Sequence, residues 1–255
     1  MSDFDPPRRS VLRRLLAGAV ATALAGCDAA SRSSWLPNLL KGGEHLNRGV
    51  QKRVAGRKSM AQEFAVADLS PDFRGNGTVH PDSDEYARLA ANNFAAWSLQ
   101  FDGLVSNPAK FTLAELRALP GRTQITRHDC VEGWSAIGQW TGVPLHQLLE
   151  RVAPLPNAQY VVFHCADTMS DGAPYYESID LDDAYHPQTI LAYALNGKDL
   201  PIRNGAPLRA RIERQLGYKH AKYLMRIELV ESLANIRGGK GGYWEDNGYE
   251  WYAGI

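Results

Sequence analysis

The stretch of residues 127–145 constrains this chain more than any other part of its sequence. It contains Cys130, one of three cysteines, close to the acidic residues Asp129 and Glu132. Free cysteine is among the most buried residue types, so a structural thiol in the core would account for it. A lone cysteine flanked by acids and tryptophans also fits a functional site, and the stretch alone leaves both interpretations open.

The N-terminus is typical of an export signal. Arg8 and Arg9 form a twin-arginine motif, and an apolar run at residues 15–26 follows it. Because a membrane-spanning helix needs about 20 apolar residues, this shorter run is predicted to be the hydrophobic region of a signal peptide. The twin-arginine route is associated with proteins exported already folded around a cofactor, which predicts a bound prosthetic group and a periplasmic location.

Residues 24–27 (L-A-G-C) resemble the cleavage box of bacterial lipoproteins. This predicts a signal peptide over residues 1–27 and a lipid anchor at Cys27. Asp28 directly after it favours, by analogy with lipoprotein sorting, retention on the inner membrane. Cleavage by an ordinary signal peptidase, near the small residues at 21–23, is the alternative.

Residues 28–81 are polar and interrupted by glycine and proline, so we expect a tether followed by an arm that lies on a globular domain. A basic patch in this segment is expected to be a solvated helix face. The patch consists of Lys52, Arg53, Arg57 and Lys58. The globular domain itself is predicted over residues 82–255.

The composition is that of a soluble globular protein, since 44% of the residues are hydrophobic and 22% are charged. The 28 basic residues balance the 28 acidic residues, and this zero net charge argues against nucleic acid as a partner. Local patterns predict parts of the scaffold. They are a capping box from Thr112 to Glu115, a strand at 123–127, a helix opening at Pro144 and a hairpin turn at Asn196 and Gly197.

The run C-V-E-G-W-S from Cys130, with W-T-G-V-P-L from Trp140 behind it, is similar to the molybdenum-ligand segment of the sulfite oxidase family, in its bacterial reductase-like branch. In that family the cysteine thiolate binds molybdenum. The resemblance therefore implies that Cys130 is the metal ligand, with Glu132 and Trp134 in catalytic positions beside it. Thiolate is a soft, charge-donating ligand, and a bound metal keeps it deprotonated.

Two later segments, at 200–209 and 217–224, resemble cofactor-binding segments of the same family. The residues that the resemblance implies as cofactor contacts are Asn204, Arg209, His220, Ala221 and Lys222. Full sulfite oxidases carry histidine where this chain has asparagine at the first of these positions. Arginine suits bidentate recognition of a phosphate, and lysine supplies a point charge.

The resemblance extends to three further cofactor positions, Asn92, Cys165 and Asp167. Asn92 begins an Asn-Asn-Phe element, for which an ordinary turn is the alternative. A carboxylate at Asp167 could accept hydrogen bonds from the amino group of a pterin, and a strand-ending turn is the alternative. The glycine-rich tail after residue 238 is expected to be packing filler, with Trp244 the first candidate for a wall of a substrate funnel.

The family resemblance implies an α+β fold of the sulfite oxidase type, with small mixed sheets and short helices around a buried cofactor. The cofactor would be molybdenum-molybdopterin, and the chemistry would be oxygen-atom transfer to or from a small-molecule oxo-acceptor or oxo-donor. We expect a single domain without the haem module that other members of the family carry. An external electron-transfer protein, quinone-linked in the membrane or a cytochrome, is therefore expected as a partner.

Two interpretations of other classes remain open. A zinc or copper site could be built from His128, Cys130, His164 and Cys165, although the tight spacing of common zinc motifs is missing. An anchored binding module could instead hold a Cys130–Cys165 disulfide, which an oxidising periplasm would permit.

The flanking charges predict the direction of the reaction. Asp129 and Glu132 would each repel an anion by about 1 kcal/mol per unit of its charge at roughly 4 Å in water, and by more in a drier pocket, and sulfite is a dianion. Arg127 is the only permanent cation beside Cys130 in the sequence. We therefore expect reduction of a neutral S-oxide or N-oxide, with sulfite oxidation as the alternative if Arg203 or Arg214 reaches the pocket.

Overall fold

The computed structural model describes Ser33, residues 35–54, Gly56 and residues 59–255. The twin-arginine motif and the lipoprotein box at Cys27 lie outside the described residues, as do Arg57 and Lys58 of the basic patch. The chain divides into two compact units, residues 1–56 and residues 57–255. Each unit is described by itself.

In the first unit, helix α1 (Trp35–Val54) occupies 20 residues of the segment for which a tether was expected. The side chains of Trp35, Leu39 and Leu46 are exposed, and so is Arg53 of the basic patch. None of the helices in the described part of the chain combines the length and the apolar character needed to cross a bilayer.

The second unit contains five α-helices and ten strands among its described residues. The helices are α2 (Asp84–Ala91), α3 (Leu113–Ala118), α4 (Leu145–Val152), α5 (Leu181–Ala184) and α6 (Tyr243–Asp246). The strands are β1 (Ser98–Gly103), β2 (Ala109–Thr112), β3 (Arg122–Cys130), β4 (Trp134–Pro144), β5 (Tyr160–Thr168), β6 (Pro174–Asp180), β7 (Thr189–Leu195), β8 (Lys198–Asp199), β9 (Arg209–Ile212) and β10 (Leu224–Val230). Short 3₁₀ helices lie at Val66–Asp68, Ile202–Asn204 and Gly217–Lys219.

The strands form two five-stranded sheets. The first has the order β2-β1-β10-β5-β6, in which β1 and β10 are parallel and the other neighbours are antiparallel. The second has the order β3-β4-β7-β8, and β9 pairs with β7. Small mixed sheets with short helices are what the predicted α+β fold requires, so that prediction is confirmed.

The predicted local signals form as expected. The Thr112 hydroxyl accepts the Glu115 N–H at 3.2 Å, and the Glu115 carboxylate accepts the Thr112 N–H, which completes the capping box. Helix α4 begins directly after Pro144 and buries the leucines of its apolar face. Asn196 and Gly197 both adopt positive φ, the conformation that a tight hairpin between β7 and β8 needs.

The core has two parts. The larger cluster joins β1, β5, β10 and helix α4, with residues such as Trp97, Phe163 and Leu148 fully buried. The smaller cluster lies against the second sheet and includes Phe73 from the segment before helix α2, whose ring meets Trp140 edge-on at 4.9 Å. Phe73 therefore attaches the segment before helix α2 to the second sheet.

Candidate active site

Cys130 lies at the end of β3, at the tip of the β3–β4 hairpin. It pairs with Trp134 across the hairpin, and the Gly133 N–H donates to the Cys130 carbonyl at 3.0 Å. Gly133 has φ of 84°, a left-handed conformation that glycine adopts without steric cost. The sequence C-V-E-G-W therefore folds into a turn that presents Cys130 and Glu132 together.

Both residues line a cavity of about 170 Å³. Six of the fourteen lining residues were singled out from the sequence, namely Cys130, Glu132, Asp167, His220, Lys222 and Trp244. The others are Asn76, Gly77, Thr78, Val131, Met169, Tyr175, Tyr218 and Tyr249. The cavity thus joins the β3–β4 hairpin, the end of β5, the 217–222 segment, the arm and the tail.

The Glu132 carboxylate is held by two donors. The Trp134 indole N–H donates to it at 2.9 Å, and the Gly77 backbone N–H donates at 3.2 Å. The bond from Trp134 is the main reason that the pKa of Glu132 is lowered, with contributions from Arg74 and Lys222. Glu132 is therefore an oriented anion, whereas Trp134 positions it and does not itself line the cavity.

The Cys130 side chain is half-buried. Burial raises the pKa of its thiol, and the neighbouring Glu132 charge raises it further, while Arg74 and Arg209 act in the opposite direction. The protein alone therefore favours the neutral thiol. A cation bound at the sulfur would be needed to stabilise the thiolate.

Lys222 and Asp167 give the cavity one basic and one acidic buried side chain. The Lys222 ammonium donates to the carbonyl oxygens of Asn76, at 2.5 Å, and of Thr78. Burial, followed by the charge of Arg209, lowers the pKa of Lys222 to about 7. Burial raises the pKa of Asp167 to about 6. Both groups therefore titrate much closer to neutral pH than exposed lysine or aspartate does.

His220 presents an unpaired nitrogen. Its Nε2 lies 3.0 Å from the carbonyl oxygens of Ile212 and Gln215, so Nε2 carries the proton and donates. Its Nδ1 has no hydrogen-bond partner. Burial is the main cause that lowers the pKa of His220 well below the usual value, with a contribution from Arg211. The ring is therefore neutral, and Nδ1 is a free acceptor.

Arg209 and Asn204 lie behind the lining. The Arg209 guanidinium donates to the carbonyl oxygens of Asn204, at 2.9 Å, and His220, at 3.2 Å. The Asn204 amide donates to the Phe73 and Arg74 carbonyl oxygens, at 3.3 Å each. These two residues fix the arm and the 220 segment, and neither lines the cavity. Burial lowers the pKa of Arg209 to about 9.

The structure does not bring the remaining predicted cofactor residues to the cavity. Asn92 is exposed and caps the C-terminal end of helix α2. Cys165 packs against the larger core cluster. Ala221 is buried, and its carbonyl accepts the Ala210 N–H at 2.8 Å.

Arg127 is the only permanent cation beside Cys130 in the sequence, but the fold brings cations from distant segments close to it. Arg127 pairs with Asp129 at 2.9 Å. The cations that act on the Cys130 thiol are Arg74 and Arg209, and Lys222 lines the same cavity. The Arg74 guanidinium lies 5.3 Å from the centre of the Trp134 ring. The distance of these cations along the chain from Cys130 explains why the flanking sequence could not show them.

Arg203 and Arg214, the two residues that could have changed the charge argument, both have carboxylate partners. Arg203 pairs with Asp72, and Arg214 pairs with Asp183 at 2.5 Å. Neither arginine lines the cavity. Lys222 and His220 are therefore the residues of basic type in the cavity lining, and the His220 ring is neutral.

The two alternative predictions, a Cys130–Cys165 disulfide and a zinc or copper site, are both wrong. Cys130 and Cys165 are both free thiols, so they form no disulfide. Across residues 59–255, no group of three or more histidine, cysteine, aspartate or glutamate side chains is placed to hold a metal ion. His164 instead lies 2.9 Å from Glu228, within an ion-pair network on the first sheet.

The arm contribution was missed from the sequence. Asn76, Gly77 and Thr78 reach the cavity from residues more than fifty positions before Cys130. The sequence signal that could have indicated this contribution was the R-G-N-G-T segment, in which glycines flank Asn76. Gly75 lies so close to Arg203 that a Cβ atom at position 75 would be 2.8 Å from the Arg203 carbonyl oxygen, and Gly77 has φ of 55°.

The unpaired polar atoms test whether a cofactor would fit. Asn76 Oδ1, Asp167 Oδ1 and His220 Nδ1 are buried, belong to lining residues and have no hydrogen-bond partner. An unsatisfied buried polar group costs about 1–3 kcal/mol, so three in one cavity indicate a binding site for a polar ligand. A half-buried thiol, three unpaired acceptors and a lysine fit a metal-pterin-phosphate group.

Comparison with known proteins supports the same conclusion. Residues 87–235 match the oxidoreductase molybdopterin binding domain. The chain is 37% identical over 249 residues to a provisionally named protein-methionine-sulfoxide reductase subunit, YedZ1, of Azospira oryzae, covering 98% of this chain and 88% of that protein. It is 36% identical over 175 residues to the protein-methionine-sulfoxide reductase catalytic subunit MsrP of Xanthomonas campestris, covering 64% of this chain and 53% of the relative.

Among solved structures, the sulfane dehydrogenase SoxCD of Paracoccus pantotrophus matches with a TM-score of 0.51 and 21% identity, over 56% of this chain and 40% of that chain. This likeness supports the sulfite oxidase-type fold alone. The domain match covers more than half of the chain, and it includes the hairpin of Cys130 and the cavity residues from Asp167 to Lys222. The chain therefore belongs to the family of oxidoreductases with a molybdopterin-binding domain.

Proposed function

We propose that this enzyme reduces a neutral S-oxide, with Cys130 as the protein ligand of molybdenum. The observation that carries the proposal is the charge of the cavity. Glu132 and Asp167 both line it, and the one cationic lining residue, Lys222, already donates to backbone carbonyls. The names of the relatives YedZ1 and MsrP support an S-oxide as the substrate.

The residues that line the cavity or lie behind it can each be assigned a part in holding the cofactor. Cys130 would bind the metal, Lys222 would contact the phosphate, and Asn76, Asp167 and His220 would accept hydrogen bonds from the pterin. A bound molybdenum-molybdopterin group would supply two-electron oxygen-atom transfer. Arg209 and Asn204 would keep the arm and the 220 segment in place around it.

The overall reaction needs electrons and protons from outside. Reduction of an S-oxide to a sulfide consumes two electrons and two protons, and it releases one water molecule. The electrons would come from an external electron-transfer protein, a proposal supported by the word subunit in the names of both relatives. Periplasmic export by the twin-arginine route and a lipid anchor at Cys27 on the inner membrane complete this proposal, on sequence evidence alone.

The first test compares two reactions on the same protein. Molybdenum-loaded enzyme is expected to oxidise a reduced dye when a sulfoxide is added, and to reduce ferricyanide poorly when sulfite is added. The physical reason is that sulfite would enter a cavity lined by two carboxylates. Robust sulfite oxidation without sulfoxide reduction would contradict the proposal.

A second prediction concerns cofactor retention. Lys222→Ala is expected to lower the molybdenum and pterin content of purified protein, because a charge-assisted hydrogen bond is worth roughly 1.5–3 kcal/mol, or about 10-fold or more in affinity. Metal analysis and pterin fluorescence would measure the loss. Lys198→Ala is the matched control, since Lys198 is exposed in β8. Equal cofactor content in both variants would show that Lys222 does not hold the group.

A further inference from the structure

The cavity has an aromatic wall made by the C-terminal tail. Trp244 and Tyr249 line the cavity, and we call this pair the tail wall. Their ring centres are 5.2 Å apart, and Tyr249 meets Tyr218 edge-on at 5.3 Å. Tyr249 is 40% exposed, so the wall reaches from the cavity to the surface. The tail was expected to be packing filler, with Trp244 as the first candidate for a wall of the substrate funnel, and both Trp244 and Tyr249 line the cavity.

The tail wall is held in position by buried charges. Glu245, next to Trp244, accepts a hydrogen bond from the Lys219 ammonium at 2.6 Å. The same ammonium donates to Glu177 of β6 at 2.5 Å, and all three side chains are buried. Lys219 stands between Tyr218 and His220, which both line the cavity. The tail is therefore tied directly to the segment that forms the cofactor side of the site.

Backbone contacts add to this attachment. The Tyr249 N–H donates to the Trp244 carbonyl at 2.9 Å, which closes the turn between the two rings. The Tyr218 hydroxyl donates to the Glu250 carbonyl at 2.6 Å. The two rings are thus fixed before any substrate arrives, which lowers the entropy cost of using them for binding.

The chemistry of the lining separates into two kinds. Cys130, Glu132, Asp167 and Lys222 supply polar groups, whereas the tail wall with Met169 supplies apolar surface. An S-oxide has the same division, because it joins one polar S–O bond to two carbon substituents. Aromatic rings pack favourably against alkyl carbon and against sulfur.

We infer that Trp244 and Tyr249 contact the carbon substituents of the S-oxide and set a preference for substrates larger than dimethyl sulfoxide. This inference rests on the proposed function and deepens it. The residues act on substrate specificity and not on cofactor binding. Their removal should therefore change KM for larger substrates while the cofactor content stays constant.

The test uses the molybdenum-loaded enzyme with two substrates, dimethyl sulfoxide and methyl phenyl sulfoxide. In Trp244→Ala and in Tyr249→Ala, kcat/KM for the larger substrate is expected to fall about 10-fold relative to the smaller one, mainly through KM, the size of effect that a hydrophobic pocket contact gives. Trp244→Phe should recover much of the loss. Tyr185→Ala is the control, since Tyr185 is 42% exposed and does not line the cavity.

Each result has a distinct meaning. An unchanged substrate ratio in both alanine variants, with wild-type enzyme active on both sulfoxides, would overturn the inference and leave the proposed function standing. Equal losses for both substrates would also overturn it, because they would indicate a purely structural role. Absence of sulfoxide reduction by the loaded wild-type enzyme would instead refute the proposed function.

Discussion

Replacing Cys130 with serine is expected to give a folded protein without oxidoreductase activity and with lost or altered molybdenum. Serine fits the same turn, which Gly133 makes possible, so the hairpin should form. A hydroxyl is a harder ligand than a thiol and is seldom deprotonated. Loss of the metal ligand should exceed the roughly 10–100-fold effect that follows mutation of a residue outside the first ligand shell.

The measurement combines a sulfoxide reductase assay, metal analysis and thermal unfolding. Ser135→Ala is a suitable control, because Ser135 is exposed in the same hairpin and is absent from the cavity lining. The control should keep its activity and its molybdenum. Full activity of Cys130→Ser with full metal content would show that the sulfur is not the ligand.

The fold was predictable where local chemistry decides it. Thr112 and Glu115 form their capping box, and Asn196 with Gly197 turns the chain, because the interactions involved lie within a few residues. Strand pairing was different. The parallel neighbours β1 and β10 are more than one hundred residues apart, and no local pattern around Gln100 points to its partner Arg226.

The residues of the candidate site also fall into those that the sequence places together and those that only the fold brings together. Cys130 and Glu132 are two positions apart in one turn, so the sequence places them together. Asp167 and Lys222 were indicated only by the family resemblance. Arg74 and Asn76 were missed, because they reach the site through bonds that span long stretches of chain, such as the one from Lys222 to the Asn76 carbonyl.

The buried charges behind the tail wall lead to a prediction about stability. Two carboxylates, Glu177 and Glu245, share one lysine, and each keeps an oxygen without a hydrogen-bond partner. Burial, opposed by Lys219 and reinforced by Glu245, raises the pKa of Glu177 well above its usual value. Burial alone lowers the pKa of Lys219, but the two carboxylates raise it above the usual value. Glu177 is therefore the carboxyl of this group that the buried site favours in its protonated form.

Lys219→Met is expected to lower the free energy of unfolding by about 3–5 kcal/mol, because it leaves buried carboxylates without their cation. Glu177→Gln is the matched control. It imitates the protonated carboxyl and keeps an oxygen that can accept the Ser178 N–H, so its loss should be much smaller. Denaturant unfolding followed by circular dichroism would measure both variants. Equal losses in the two would refute this description of the charges.

The raised pKa of Glu177 also determines how the stability loss of Lys219→Met should depend on pH. A carboxyl whose pKa is raised in the folded state is most compatible with folding when protonated, below its usual value of 4.5. Its contribution is lost as the pH rises through the folded-state pKa. Without Lys219 no cation offsets the buried charge of an ionised Glu177, so the destabilisation of Lys219→Met should be larger at about pH 8 than at about pH 5. A loss that is constant over this range would mean that packing around the lysine stem, and not its charge, holds the tail against the active site.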